Sequence, residues 1–178
     1  EPRDLGNFYV DLVRGVLRVA LPVALVTSLL LTWQGVPSTY QGAQVAQPLD
    51  TAAEMREQVI PVGPVAPMVA IKQLGTNGGG WYGPNSSNPL ENPTPVSNAI
   101  ETVALVLIPM SIVFMAGFLL RRRRFAVMSL AVMGVMSVAL IAATVYSEVQ
   151  SNAAFAGLSA DGSNMEGKEL RFGPELSA

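Results

Sequence analysis

The sequence predicts an all-α membrane protein, and three observations predict it. Of its 178 residues, 50% are hydrophobic and only 13% charged, whereas a soluble domain carries about 25% charged residues. Three segments stay apolar over the stretch of about 20 residues that a bilayer core requires. Between the first and second of them lies "IKQLGTNGGGWYGPNSSNPLENPTP", nearly uncharged and rich in residues that tolerate unusual backbone angles. The mean hydropathy of +0.39 agrees with this class.

Composition also excludes. A net charge of −2 argues against nucleic acid as a partner. With no histidine and no cysteine, the chain has no thiol nucleophile, disulfide, imidazole base or usual zinc or haem ligand. An intramembrane enzyme would need a nucleophile–base pair, and none is visible. The N-terminus, "EPRDLGNFYVDLVRG", begins without methionine and is followed by no small-residue cleavage pattern; it reads as the middle of a longer protein rather than a signal peptide.

The first predicted span covers residues 12–33. Arg14 and Arg18 lie within snorkelling reach of one interface, Trp33 marks the other, and Pro22 predicts a kink. The second covers residues 100–120, with Pro109 in its middle and Glu101 near its start; the third covers residues 125–146. Residues 121–124, "RRRR", fill the turn between these two spans. Four arginines there match the positive-inside rule, which places this turn, and the start of the first span, in the cytoplasm. The segment joining the first two spans then begins and ends on the outer side. Within it, residues 51–60 read as a short amphipathic surface helix. Residues 67–74 read as a second short helix, starting at a proline that suits a helix beginning. It is too short to span, so helix plus glycine cluster predicts a re-entrant loop, viable at membrane depth only inside protein or beside water.

The cluster is Gly75, Thr76, Asn77, Gly78, Gly79 and Gly80. A dehydrated alkali cation needs several oxygen ligands, and rings of backbone carbonyls can supply them. Glycine and, less freely, asparagine tolerate the backbone angles that such rings demand. Thr76 and Asn77 add side-chain oxygens that ligate or brace. No Gly-Lys-Ser/Thr ending follows, and the spacing does not fit a dinucleotide fingerprint. A flexible extracellular turn remains the alternative from spacing alone.

These residues carry a resemblance. "KQLGTNGGGWYGPNSSNPLENPTP" closely resembles the second pore loop of the potassium-binding A subunit family of the Kdp potassium-transporting P-type ATPases. Trp81 and Tyr82 hold the family's two aromatic places, and Glu91, Asn92, Pro93 and Thr94 match it in full. Asn88 stands where the family often has histidine, Leu90 replaces phenylalanine, and Gly83 and Pro84 stand where Asn-Ala is common. The resemblance extends to "LGNFYVDLVRGVLRVALPVAL" and to "NMEGKELRFG".

The resemblance implies a membrane helix–pore loop–membrane helix repeat of the potassium-channel-like superfamily plus one further membrane helix. Residues 1–120 would be the second repeat, with pore helix and filter at about 67–80. Residues 121–178 would be the cytoplasmic turn, the first helix of the third repeat and an extracytoplasmic tail. The backbone carbonyls of Thr76, Asn77 and Gly78 would supply one quarter of a potassium-binding filter, shaped by Gly75, Gly79 and Gly80. The implied setting is the bacterial inner membrane, with an ATP-hydrolysing B subunit and small C and F subunits as partners. No phosphorylation motif such as Asp-Lys-Thr-Gly is present, so ATP hydrolysis is expected on a partner. The rival expectation is an assembly subunit whose glycine loop only packs. Of the remaining residues, Lys72 is expected in a structural ion pair and Glu101 at the interface near its helix start. Met128, Met133 and Met136 are expected in packing, and Arg171 beside Glu166 or Glu169.

Overall fold

A computed structural model of the chain describes residues 6–48 and 56–149. The chain divides into two compact units, Glu1–Pro93 and Thr94–Ala178. Among the described residues, three helices are long and apolar enough to cross a membrane: Phe8–Trp33, Pro95–Leu119 and Arg123–Ser147. At most 11% of each span's most apolar window is buried within the chain, so these surfaces need lipid or other protein around them.

In the first unit, α1 (Phe8–Gly15) starts at Asn7, whose side-chain oxygen accepts the Tyr9 and Val10 N–H groups. The helix therefore begins earlier than hydropathy alone suggests. It runs through a π-helical turn, Val16–Ala20, into α2 (Leu21–Trp33). Pro22 explains the π turn, since a proline ring meets the carbonyl one turn back and donates nothing to it. The widened turn, closed by Leu21 N–H to the Val16 carbonyl, takes up that defect. At the far end Gly35, at φ +101°, lets its own N–H reach Thr32 and that of Val36 reach Leu31. This is a Schellman termination, and the two residues it brings together, Val36 and Leu31, are both buried.

Strands β1 (Gln44–Ala46) and β2 (Gln58–Ile60) pair antiparallel, with Val45 opposite Val59. This corrects the helix expected over residues 51–60. Its last three residues are a strand, because pairing with residues 44–46 satisfies their backbone while two valines meet across the ladder. Residues 51–55 lie outside the described residues.

Helix α3 (Val65–Gly75) starts two residues before the expected proline, with Pro64 as its cap. Val65, Ala66, Val69, Ala70 and Leu74 recur at helical spacing and are buried; α3 packs against α2, which buries Thr27, Ser28 and Leu31. Eleven residues rise only about 16 Å, roughly half a bilayer core of about 30 Å. Hence α3 is a half-span at most.

In the second unit, α4 (Pro95–Leu119) opens with a capping box. Ser97 N–H donates to the Thr94 hydroxyl, Thr94 N–H donates to the Ser97 hydroxyl, both at 3.0 Å, and Pro95 stands first in the helix. Pro109 lies within it. The helix ends as α2 does: Arg121 N–H reaches Phe118 and Arg122 N–H reaches Gly117. Here the left-handed position is taken by Arg121, φ +53°, at a strain of about 1–2 kcal/mol. A tight turn then starts α5 (Arg123–Val149). Gly117 makes that hairpin possible, since a Cβ there would lie 2.4 Å from the Ala126 Cβ. Arg171, Glu166, Glu169 and the "NMEGKELRFG" tract lie outside the described residues.

Candidate functional site

Helix α3 ends where the glycine cluster begins. Thr76 adopts the left-handed conformation, φ 51° and ψ 32°, and its N–H turns back to the Gln73 carbonyl at 3.2 Å. Asn77 then braces the loop from within: its Oδ1 accepts the Gly79 N–H at 3.0 Å. Gly78 stands at φ +70°, a conformation that costs other residues about 1–2 kcal/mol. Thus Gly75 closes a half-length helix, and Thr76, Asn77, Gly78, Gly79 and Gly80 form one exposed loop at its C-terminus. Of the two roles open to the Asn77 side chain, the structure assigns it bracing.

The loop is uncharged, and its carbonyls and the Thr76 hydroxyl are hard oxygen donors suited to an alkali cation. The C-terminus of α3 adds a partial negative charge of about half an electron, falling off within a turn. Among the described residues no group of three His, Cys, Asp or Glu is placed to hold a metal ion.

Behind the loop lies a buried polar cluster. Glu91 is fully buried and Lys72 almost so, and Lys72 Nζ donates to Glu91 Oε2 at 2.6 Å. Lys72 also donates to the Ser86 hydroxyl. Ser86 in turn donates to Glu91 Oε2 at 3.2 Å, and Gln73 Nε2 donates to Ser86 at 3.3 Å. The other carboxylate oxygen, Oε1, accepts both the Trp81 and the Tyr82 backbone N–H, each at 2.6 Å. The structural pair expected of Lys72 is therefore present.

The second half of the loop is arranged around this carboxylate. Asn85 and Ser86 both take positive φ, 55° and 54°, which turns the chain back within the short 3-10 turn Pro84–Ser86. Asn88 accepts the Leu90 N–H through its side chain and the Glu91 N–H through its carbonyl. The Trp81 indole N–H donates to the Pro61 carbonyl at 3.2 Å, and its ring covers Gly63, where a Cβ would fall 2.8 Å from ring carbons.

Sequence reasoning missed the role of Glu91, although a signal was there. Glu91 is the only acidic residue between Glu57 and Glu101, and Lys72 the only basic one between Arg56 and Arg121. Two lone opposite charges in an apolar region seek each other, because an unpaired buried charge is very costly. Glu101, expected at the interface, is buried along α4.

Burial opposes ionisation of Glu91, but hydrogen bonds from Lys72, Tyr82 N–H and Trp81 N–H, together with the Lys72 charge, outweigh it. They hold the carboxyl below its usual value of 4.5. Burial, followed by the neighbouring Glu91 charge, pushes the Tyr82 phenol up. A lowered carboxyl stabilises fully above its unfolded value and loses that contribution as pH falls through the folded one. The melting-temperature gap between the full-length subunit and its Glu91→Gln variant should therefore hold constant from about pH 8 to about pH 5.5, narrowing only in stronger acid. A gap that closes near neutrality contradicts the ionised assignment.

Comparison with known proteins places this geometry in context. The family described as KdpA, potassium-transporting ATPase A subunit, matches residues 1–178. The potassium-transporting ATPase potassium-binding subunit of Anaeromyxobacter dehalogenans is 46% identical over 184 residues, which cover 98% of this chain and 32% of that protein. Its counterpart in Solidesulfovibrio magneticus is 41% identical, covering 100% and 33%, and that of Pseudomonas aeruginosa 46%, covering 98% and 30%. The chain thus spans about a third of the length of these relatives.

Proposed function

Because the chain belongs to the KdpA family of potassium-transporting ATPase A subunits, we propose that it supplies one pore loop to a potassium-binding and translocating subunit. In this reading the backbone carbonyls of Thr76, Asn77 and Gly78 form one quarter of the selectivity filter. Gly75, Gly79 and Gly80 shape its mouth. The unit is a membrane helix, a pore helix with filter, and a second membrane helix; α5 begins a further repeat. Potassium enters from outside, exchanges its water for carbonyl oxygens and passes inward. ATP hydrolysis belongs to the B subunit, with the small C and F subunits completing the complex in the bacterial inner membrane. The residues 121–124 turn faces the cytoplasm.

One observation carries this reading. A half-span helix ends at a left-handed Thr76, in an uncharged glycine loop, and lies in sequence between two helices of membrane length. The dipole of that helix favours a cation at its C-terminus, and carbonyls without a carboxylate suit a monovalent ion that must also leave.

Substituting Gly78 in the complete subunit and measuring uptake of potassium, rubidium and sodium tests it. Altered selectivity supports a loop that lines the ion path. Unaltered selectivity with poorer recovery of the complex supports a loop that only packs against a partner.

A further inference from the structure

We infer that the buried cluster of Lys72, Ser86 and Glu91 sets the geometry of the ion-coordinating backbone, making Glu91 a positioning residue for potassium selectivity. This rests on the pore reading above and names what holds that pore in shape.

The loop of residues 75–80 offers little of its own to fix its conformation. Four of the six residues are glycines, which bring no side chains to pack. Its internal brace is the hydrogen bond from the Gly79 N–H to Asn77 Oδ1. Its shape must therefore be imposed from its two ends. The Glu91 carboxylate holds both. Through Oε2 it takes Lys72, four residues before Thr76 in the last turns of α3. Through Oε1 it takes the N–H groups of Trp81 and Tyr82, the first two residues after Gly80. Ser86 ties the returning chain to the same oxygen that binds Lys72. The fit is close: a Cβ on Gly80 would stand 2.9 Å from Glu91 Oε1.

Two charge-assisted hydrogen bonds on one oxygen, both 2.6 Å, are shorter and stronger than neutral ones. They fix where the backbone leaves the loop. If they are lost, the amides must find water, and the ring spacing that separates one alkali ion from another changes with them.

A merely structural ion pair and a positioning carboxylate predict different results. Replacing both members of a buried pair by apolar residues leaves no unpaired charge and is often tolerated. The variant Lys72→Met/Glu91→Leu should therefore assemble in the complete complex. A structural role predicts normal transport from it. The positioning role predicts a half-saturating potassium concentration raised about tenfold, with weaker discrimination against rubidium and sodium, because the Trp81 and Tyr82 amides have lost their acceptor. Lys72→Met/Glu91→Gln restores an oxygen for those amides without a charge, and should recover most of the selectivity.

Potassium-stimulated ATP hydrolysis by the purified full complex reads all of these, with Gly78→Asp measured in parallel. Wild-type half-saturation and selectivity in Lys72→Met/Glu91→Leu overturn the inference. If that variant does not assemble, Ser86→Ala, which removes one hydroxyl from the cluster, decides: a shift of about threefold supports the inference and no shift overturns it. A changed Gly78 variant beside an unchanged cluster variant removes the positioning role alone. Unchanged behaviour in both removes the pore reading as well.

Discussion

Replacing Gly78 with aspartate in the complete subunit is expected to raise the half-saturating potassium concentration for uptake about tenfold or more, and to erode discrimination among alkali cations. Two costs combine. Gly78 stands at φ +70°, where an added Cβ strains the backbone by about 1–2 kcal/mol. Strain of about 1.4 kcal/mol in the binding conformation already corresponds to a tenfold loss of affinity. In the proposed filter the carboxylate would add a fixed charge where neutrality lets a monovalent ion bind and leave. Gly78→Ala separates the two, since it keeps the strain and omits the charge. Uptake from micromolar external potassium measures both variants. Unchanged uptake by Gly78→Asp would take Gly78 out of the ion path.

Gly80→Ala is expected to do more damage, for a steric reason. An ideal Cβ on Gly80 would lie 1.9 Å from the Gly83 carbonyl oxygen and 2.9 Å from Glu91 Oε1. The first contact is with backbone, which cannot swing aside as a flexible side chain can. Relief would require moving residues 81–83, which breaks the Trp81 and Tyr82 hydrogen bonds to Glu91 and leaves buried polar groups unpaired. The expected result is loss of assembled complex or of potassium transport in what assembles, with a lower melting temperature of the full-length subunit. Gly83→Ala is the control. Nothing lies within 4 Å of a Cβ there, and its φ of 178° suits any residue, so it should behave as wild type. Wild-type behaviour by Gly80→Ala would mean that the loop closes differently.

The contrast between these glycines shows what was legible in the sequence. That the cluster leaves regular helix could be read from its composition. Which glycine was needed for conformation and which for space could not, because the space at Gly80 is set by Gly83 and Glu91 after the chain turns back. The membrane-length helices were legible because a run of about 20 apolar residues has few other uses. Their ends were not, because caps decide them. Asn7 starts the first helix and the Thr94/Ser97 capping box the second, each several residues before the hydropathy rises. Pro22 announced a defect, and its form as a π turn depends on how the Leu21 amide finds the Val16 carbonyl. Residues 58–60 were misread as helix because three residues hold too little periodicity, and their pairing with residues 44–46 is non-local.

The central claim is that the carbonyls of Thr76, Asn77 and Gly78 bind potassium. Anomalous diffraction from crystals of the full-length subunit soaked in thallium(I) or rubidium tests it most directly, because the ion itself is located. The account predicts a peak facing those three carbonyls, lost in the Gly78→Asp variant. A peak elsewhere in the subunit, with none beside the loop, would contradict it.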